Sequence, residues 1–539
     1  MGDAMGRLSA LTAVLSERSR GRFAVGSGVH ALSDSAFLIA ALVAAHQLGG
    51  VTAVGIVGFF RVAPAAVMAP FSSAIADRSG RRTALLVAYL ARALLLAVTA
   101  VTLQAGWPIP VFVGAVTLVG LVSSVIRPAQ WALPPLLSKG PQEITPIMTA
   151  WTTLEGVGTI VGPAAAGFLV GTSGPASAIW MSAAAAAICA WLTVGMVIDE
   201  RRIKKPFDLK ELRQGVSTVA REPGPRLIIG LLSMQTFVRG LLNVLIVAAA
   251  VGILRIGEEG VGYLAAAMGV GGLIGGVATV SFVGKDDLGA RVGASLVIWG
   301  APILVIGLFP EPIVAAAMIG LVGLGNAFLD VAAFSLLQRV GPPHALARVF
   351  GVLEGLVFLS VSIGSLVAPA LINLGGIRVA HIVTGAILPV AAALAFRALR
   401  RLDQESRVPE QRVSMLEGIP LFSELPGSDL ATLAIRMRPR SVPAGEEILE
   451  EGTQGDVFYV IEHGEVAVMR GGESIATLGD GDYFGEIALT RDVPRVASVT
   501  ATEETDLLSL GREDFLGTVA GNPQGAVTVE AVVQQRLGE

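Results

Sequence analysis

The sequence predicts a chain in two parts: an all-α membrane bundle of twelve transmembrane helices in two six-helix halves, then a small β-roll domain with flanking helices. Three observations lead there. The mean hydropathy is +0.69, and it comes from a series of apolar runs near the ~20 residues that cross a hydrocarbon core. Residues 1–402 hold only 47 of the 82 Asp, Glu, Lys and Arg residues, whereas the far shorter stretch 403–539 holds 35. After Arg400-Arg401 the long apolar runs stop, and short alternating segments punctuated by glycine take their place.

The expected spans are 23–47, 52–76, 83–104, 108–130, 147–171, 176–198, 227–251, 260–283, 292–309, 312–338, 347–372 and 379–398. The longest interruption, 199–226, lies near the middle and is rich in Arg and Lys. Charge then sets the expected orientation. With the N-terminus inside, 24 of the 29 basic residues of residues 1–402 fall in cytoplasmic segments, and only Arg255 and Arg378 in external loops. Both termini are therefore expected in the cytoplasm, with the protein multi-pass in the plasma (inner) membrane. The segment before the first span is polar and has no cleavage pattern, so no removable signal is expected. Cys189 is the single cysteine and lies in an apolar run, so no disulfide framework, metal site or resident cofactor is expected. The residues 403–412 read as a linker between a bundle of 1–402 and a soluble domain of 413–539.

The two halves show traces of a repeat. Leu154-Glu155-Gly156 in the fifth span recurs as Leu353-Glu354-Gly355 in the eleventh, as expected for two parallel halves around a midplane cavity. Between the second and third spans stands Pro70-Phe71-Ser72-Ser73-Ala74-Ile75-Ala76-Asp77-Arg78-Ser79-Gly80-Arg81-Arg82. This string resembles the GxxxDRxGRR loop of the major facilitator superfamily, with Ser73 where the first glycine is usual. The resemblance implies a secondary transporter in which Asp77 meets a helix N-terminus of the other half, with Arg78, Gly80, Arg81 and Arg82 completing a conformational gate. Gly156 to Gly167 around Pro163, with Arg127-Pro128-Ala129 and Leu133-Pro134, resembles the drug-exporting branch of that superfamily.

Ionisable residues inside spans are expensive and face a cavity or a partner. Asp34, Glu155, Asp330 and Glu354 are the acids, and Arg61, Arg92 and Arg239 the bases. Asp34, Glu155, Arg239, Asp330 and Glu354 are the candidate proton- or substrate-linked residues. A fixed ion pair, for instance with Arg61 or Arg239, is the competing role for each acid.

In the tail, Phe484-Gly485-Glu486-Ile487-Ala488-Leu489 is followed after five residues by Arg495-Val496-Ala497-Ser498. The pair of strings closely resembles the phosphate-binding cassette of cyclic-nucleotide-binding domains. The resemblance implies that Arg495 pairs with the cyclic phosphate and that Glu486 accepts from the ribose 2′-hydroxyl. Gly485, Ile487 and Ala488 would let backbone N–H groups approach, while Phe484, Ala497 and Ser498 complete the cassette. Guanine-preferring members often place Thr after the arginine; Val496 here has no hydroxyl, so cAMP is expected over cGMP. Val527, Val529, Val532 and Val533 are candidates to cover the base.

The expected function is a secondary transporter that exports a small or amphipathic molecule and is regulated by cAMP. The expected partners are a cyclic nucleotide, an unidentified small-molecule or lipid substrate and membrane lipids, but no nucleic acid. A membrane-anchored cAMP receptor without transport, or a lipid transporter, are the alternatives. No Walker loop follows a strand and no hydrolase or kinase constellation is present, so an enzyme is not expected.

Overall fold

The fold is that of a computed structural model, which describes residues 14, 16–138, 140–197, 209–279, 287–341, 345–405, 410–422, 425, 427–519 and 534. Two compact units emerge: residues 1–337 with 347–400, and residues 338–346 with 401–539.

The first unit is helical: α1 (Arg18–Ser79), α2 (Arg81–Gln104), α3 (Ile109–Trp131), a short α4 (Pro134–Leu137), α5 (Pro141–Ser173), α6 (Pro175–Val194), α7 (Leu209–Arg221), α8 (Pro223–Gly252), α9 (Glu259–Ala278), α10 (Leu288–Leu308), α11 (Pro312–Val340) and α12 (Leu346–Glu405). Pro141, Pro175 and Pro223 each open a helix, where the missing N–H costs nothing. Among the described residues ten helices are long and apolar enough to cross a membrane, against the twelve spans expected. The difference lies in α1 and α12, which run 62 and 60 residues. Gly49 and Gly50 interrupt α1 with non-helical backbone, and Gly376 does so in α12. Gly50 at φ 62° and Gly376 at φ 78° occupy the left-handed region that only glycine enters at no cost. Each break falls between two of the expected spans.

The helices meet through close glycine contacts as well as large side chains such as Phe23, Tyr89 and Trp151. A Cβ on Gly240 in α8 would run into the Val361 carbonyl of α12, and one on Gly364 in α12 into the Phe237 carbonyl of α8. Gly120 in α3 is equally close to the Arg61 carbonyl, and Gly271 in α9 to that of Gly320 in α11. Contacts between the first and second halves use the same device. Gly262 of α9 packs on the Pro163 carbonyl of α5, and Gly55 of α1 would place a Cβ 2.6 Å from Pro369 Cγ of α12. Apolar side chains gain little by leaving lipid for protein, so close backbone approach is what holds such helices together.

The second unit begins with α13 (Glu410–Glu417), a 3₁₀ turn at Pro420–Phe422 and α14 (Gly427–Arg436), followed by strands β1 (Arg438–Val442), β2 (Glu447–Leu449), β3 (Val457–His463), β4 (Val466–Arg470), β5 (Glu473–Leu478), β6 (Tyr483–Phe484), β7 (Ser498–Ala501) and β8 (Thr505–Gly511). Helix α15 (Glu486–Arg491) sits between β6 and β7, and α16 (Arg512–Val519) follows β8. The strands form two antiparallel sheets in the orders β1-β8-β3-β6 and β2-β7-β4-β5. One apolar core, with Ile461, Val466, Phe484, Val499 and Leu507, fills the roll. A second joins the helices to the outer face through Phe422, Phe458 and Phe515, where Phe458 and Phe515 stack at 4.9 Å.

Close packing at Gly364 gives a direct test. Gly364→Val is expected to cost about 1–3 kcal/mol through overpacking, read as a lower Tm of the full-length protein in detergent. Gly230→Ala, on the open face of α8, is expected to leave the Tm unchanged.

Candidate functional site

The tail cassette is built by its own backbone. Gly485 ends β6 with φ 92°, and a Cβ there would lie 2.9 Å from the Val457 carbonyl, so both conformation and space require glycine. The turn starts α15, leaving Glu486 and Ala488 buried and Ile487 partly buried against the helical core. Phe484 points into the roll and stacks on Tyr459 at 5.2 Å, which anchors the strand before the turn.

Arg495 is held at both levels. Its backbone N–H donates to the Thr453 carbonyl and its carbonyl accepts from the Gly452 N–H, each at 2.8 Å. Its guanidinium donates from Nη1 to the Gly485 carbonyl at 2.9 Å and from Nη2 to the Val457 carbonyl at 2.8 Å. Gly455 makes room for this side chain, since a Cβ there would sit 2.5 Å from the guanidinium carbon. Burial pushes the Arg495 guanidinium below its ordinary pKa, offset by the negative fields of Tyr459, Asp456 and Glu486. A desolvated cation of this kind is stabilised by an added anion. Among the remaining cassette residues Ala497 is buried and Val496 half-buried, its carbonyl accepting from Arg470 Nε at 3.2 Å. Ser498 Oγ accepts from the Glu451 N–H at 3.0 Å. The strings at 484–488 and 495–498 are thus brought to one side of the roll. Val527, Val529, Val532 and Val533 lie outside the described residues.

In the helical unit the intramembrane charges separate into three environments. Asp34 on α1 takes two guanidinium groups: Arg61 Nη2 at 3.0 Å and Arg92 Nη2 at 2.9 Å. Arg92 is fully buried and also donates to Ser123 Oγ of α3. Next to it Gln130 donates to the Tyr89 hydroxyl at 2.9 Å. This cluster ties both limbs of α1 to α2 and α3.

A second group spans both halves. Glu155 on α5 meets Arg127 on α3 at 3.4 Å, with the Arg127 side chain 58% exposed. Arg239 on α8 is exposed and lies within electrostatic reach of Asp330 and Arg127. Asp330 accepts from Asn326 Nδ2 at 2.9 Å, and Asn326 Oδ1 in turn accepts from Gln235 at 3.3 Å and Trp299 at 3.2 Å. The sequence reading missed Asn326, Gln235 and Ser123; the signal available was their spacing, each four residues from a charged residue on the same helix face. Glu354 stands apart. It is exposed and has no hydrogen-bond or ion-pair partner among the described residues.

At the gate string, Asp77 and Arg78 continue the backbone of α1, and their side chains lie outside the described ones. Gly80 separates α1 from α2 at φ 85°. Arg81 donates to the Ala132 carbonyl at 3.1 Å, and Arg82 to those of Thr193 at 3.3 Å and Val194 at 2.6 Å. Those carbonyls end α3 and α6, so the two arginines cap helix C-termini where positive charge is favoured.

Residues 23–292 match the Major Facilitator Superfamily, half of the chain. The chain belongs to the major facilitator superfamily. This transporter also carries a C-terminal cyclic nucleotide-binding domain, matched over residues 439–522. The tail is similar to the cAMP-dependent protein kinase regulatory subunit of Yarrowia lipolytica, 41% identical over 111 residues, covering 20% of this chain and 30% of that protein. It is also similar to a cyclic nucleotide-gated potassium channel of Rhizobium etli, 36% identical over 124 residues, covering 23% and 35%. The chain thus spans about a third of the length of these curated relatives. Among solved structures, the catabolite activator protein of Thermus thermophilus is 34% identical, covering 22% of this chain and 58% of that one with a TM-score of 0.21.

The Asp34 cluster gives the transporter a stability test. Asp34→Asn leaves two guanidiniums facing each other and is expected to cost about 1–3 kcal/mol, below the full cost of orphaning a buried charge because Asp34 is half-exposed. Glu354→Gln removes no contact and is expected to leave the Tm of the purified protein unchanged.

Proposed function

We propose that the chain is a secondary active transporter, exporting a small or amphipathic molecule, whose activity is set by cAMP at its cytoplasmic tail. The observation that carries the regulatory half is the desolvated Arg495 guanidinium, fixed beside buried Glu486 at one cassette. A cyclic phosphate supplies the anion that such a cation lacks, and Glu486 supplies an acceptor for the ribose hydroxyl. Val496 offers no side-chain hydrogen bond to a guanine amino group, which favours cAMP over cGMP.

The transport half rests on charged residues from both halves of one bundle, Arg127 and Glu155 with Arg239 and Asp330. On this reading α1 and α12 each cross the membrane twice and give twelve crossings in all. A straight helix of 62 residues would measure about 93 Å, roughly three times the hydrocarbon thickness. Both termini are then cytoplasmic, in the inner or plasma membrane. Asp34, committed to Arg61 and Arg92, acts as a structural acid; Glu155, Asp330 and Glu354 remain for substrate or proton coupling.

Calorimetry on the full-length protein in nanodiscs tests the ligand. Binding of cAMP is expected to be tighter than that of cGMP, and Arg495→Ala to weaken it by about 10- to 100-fold, the worth of a charge-assisted contact. Tighter cGMP binding would refute the preference. Regulation requires that cAMP bind one transporter state better than another. Proteoliposome transport over a substrate panel, with and without cAMP and a pH gradient, is expected to change with cAMP, and the substrate that moves is expected to alter cAMP affinity by the same factor by which cAMP alters the affinity for that substrate. Absence of both effects would leave the tail a passive binder.

A further inference from the structure

We infer that the connection between α11 and α12 is held within the nucleotide-binding unit by Arg436, and that this tie passes nucleotide occupancy on to the helices it joins. This role rests on the reading that cAMP sets the transporter's activity, and deepens it by naming the residues that carry the signal.

Residues 338–346 lie between two apolar helices in the sequence, yet they belong to the same compact unit as residues 401–539. They precede α12, and residues from 401 onward complete and follow it, so the chain enters and leaves α12 through the second unit. One side chain makes the attachment. Arg436, the last residue of α14, donates from Nη2 to the Gly341 carbonyl at 2.8 Å and from Nη1 to Asp514 Oδ1 at 2.5 Å. Gly341 is buried, and the Arg436 and Asp514 side chains are only 19% and 31% exposed, so water and salt screen the pair less than a surface one. The planar guanidinium fixes both partners in direction as well as distance. Arg412 of α13 donates to the next carbonyl, that of Met437, at 3.2 Å. The segment that follows α12 is therefore fastened to the same end of α14 as the segment that precedes it.

Contacts lead from this tie back to the cassette. Asp514 is the third residue of α16, and the first, Arg512, is held from the cassette side. The Arg512 N–H donates to the Asp456 carbonyl at 2.8 Å, and its Nη2 to Asp492 Oδ1 at 2.5 Å. Asp492 ends the cassette helix α15. Asp456 stands between Gly455, which makes room for the Arg495 guanidinium, and Val457, whose carbonyl accepts from it. Phe515 seats α16 on the same strand by stacking on Phe458 at 4.9 Å. A phosphate that takes up the Arg495 guanidinium competes with the Val457 and Gly485 carbonyls for its N–H groups. The backbone it releases adjoins the carbonyl that holds α16, and a shift of α16 carries Asp514 with it. Arg436 then keeps both its partners or gives one up. That choice is the two-state element through which a ligand can favour one arrangement of the chain over another.

The test is hydrogen exchange of the full-length protein in nanodiscs, read by mass spectrometry on peptides spanning 338–346 and 512–519. Without nucleotide, Arg436→Gln is expected to speed exchange at 338–346 about tenfold, the worth of a charge-assisted hydrogen bond. Arg436→Lys, which can hold one partner at a time, is expected to fall between that variant and wild type. Saturating cAMP is expected to change exchange at 338–346 several-fold in wild type and to leave it unchanged in Arg436→Gln. Calorimetry is expected to show Arg436→Gln still binding cAMP, which also shows its tail to be folded; Arg436→Lys carries the comparison if it is not. Equal exchange at 338–346 in wild type and Arg436→Gln without nucleotide, or an equal cAMP response in both, overturns the inference. Transport that responds to cAMP while 338–346 does not overturns it and spares the regulatory reading. Faster exchange in Arg436→Gln, with cAMP neither bound nor changing transport, overturns the regulatory reading and leaves the tie a structural anchor only.

Discussion

Charge inside a hydrocarbon slab must be answered by charge, by hydrogen bonds or by water, and the helical unit is arranged around that demand. The strongest answer is at Asp34, where Arg61 and Arg92 close on one carboxylate from two directions. Three segments far apart in sequence meet there, the two limbs of α1 and the middle of α2, and Ser123 adds α3 through Arg92. The cluster has one more cation than anion and so is not a neutral pair that could dissolve into lipid. Its acid is half-exposed while Arg92 is fully buried, and the cluster ties α1, α2 and α3 together.

Backbone proximity is the second constraint, and it follows from the first. Polar clusters only reach one another if the helices carrying them are close. Glycines at 55, 120, 240, 262, 271 and 364 bring carbonyls to within a Cβ's radius of the neighbouring helix. Contacts between the halves include the close approaches of Gly262 to Pro163 and of Gly55 to Pro369. Apolar side chains slide in lipid as cheaply as against protein, whereas interlocked ridges would have to be pulled apart. Glycine contacts therefore supply the close packing that apolar side chains in lipid do not.

The tail solves a different problem, holding a cation in a low-dielectric place before any anion arrives. Two backbone carbonyls, Gly485 and Val457, take up the guanidinium of Arg495, and two glycines, 455 and 485, make space for it. Backbone acceptors satisfy hydrogen bonds without cancelling the charge. Asp456 and Glu486 offset part of that charge through space, and a phosphate would add a further anion.

These differences explain what could be read in advance. The cassette was legible because its two strings lie within fifteen residues of one another; the Val457 carbonyl that holds Arg495, 38 residues upstream, was not. The apolar runs announced the bundle for the same reason, and only the glycine breaks that divide α1 and α12 blurred the helix count. Of the partners of the intramembrane charges, only Arg61 and Arg239 were anticipated, as candidates for a fixed ion pair. Asp34 could have paired with any of several arginines at similar depth, and only the packing of α1 on α2 and α3 selects Arg61 and Arg92. Arg81 and Arg82, expected to complete the gate string, also cap α3 and α6, ends that are more than 50 residues away. Pairing across such distances depends on helix rotation, and a rotation of one residue, 100°, moves a side chain from lumen to lipid. A hydrophobic pattern with apolar residues on every face does not encode that angle. In this bundle it is set by which glycine meets which carbonyl, and so the charge partners become visible only once the helices are in place.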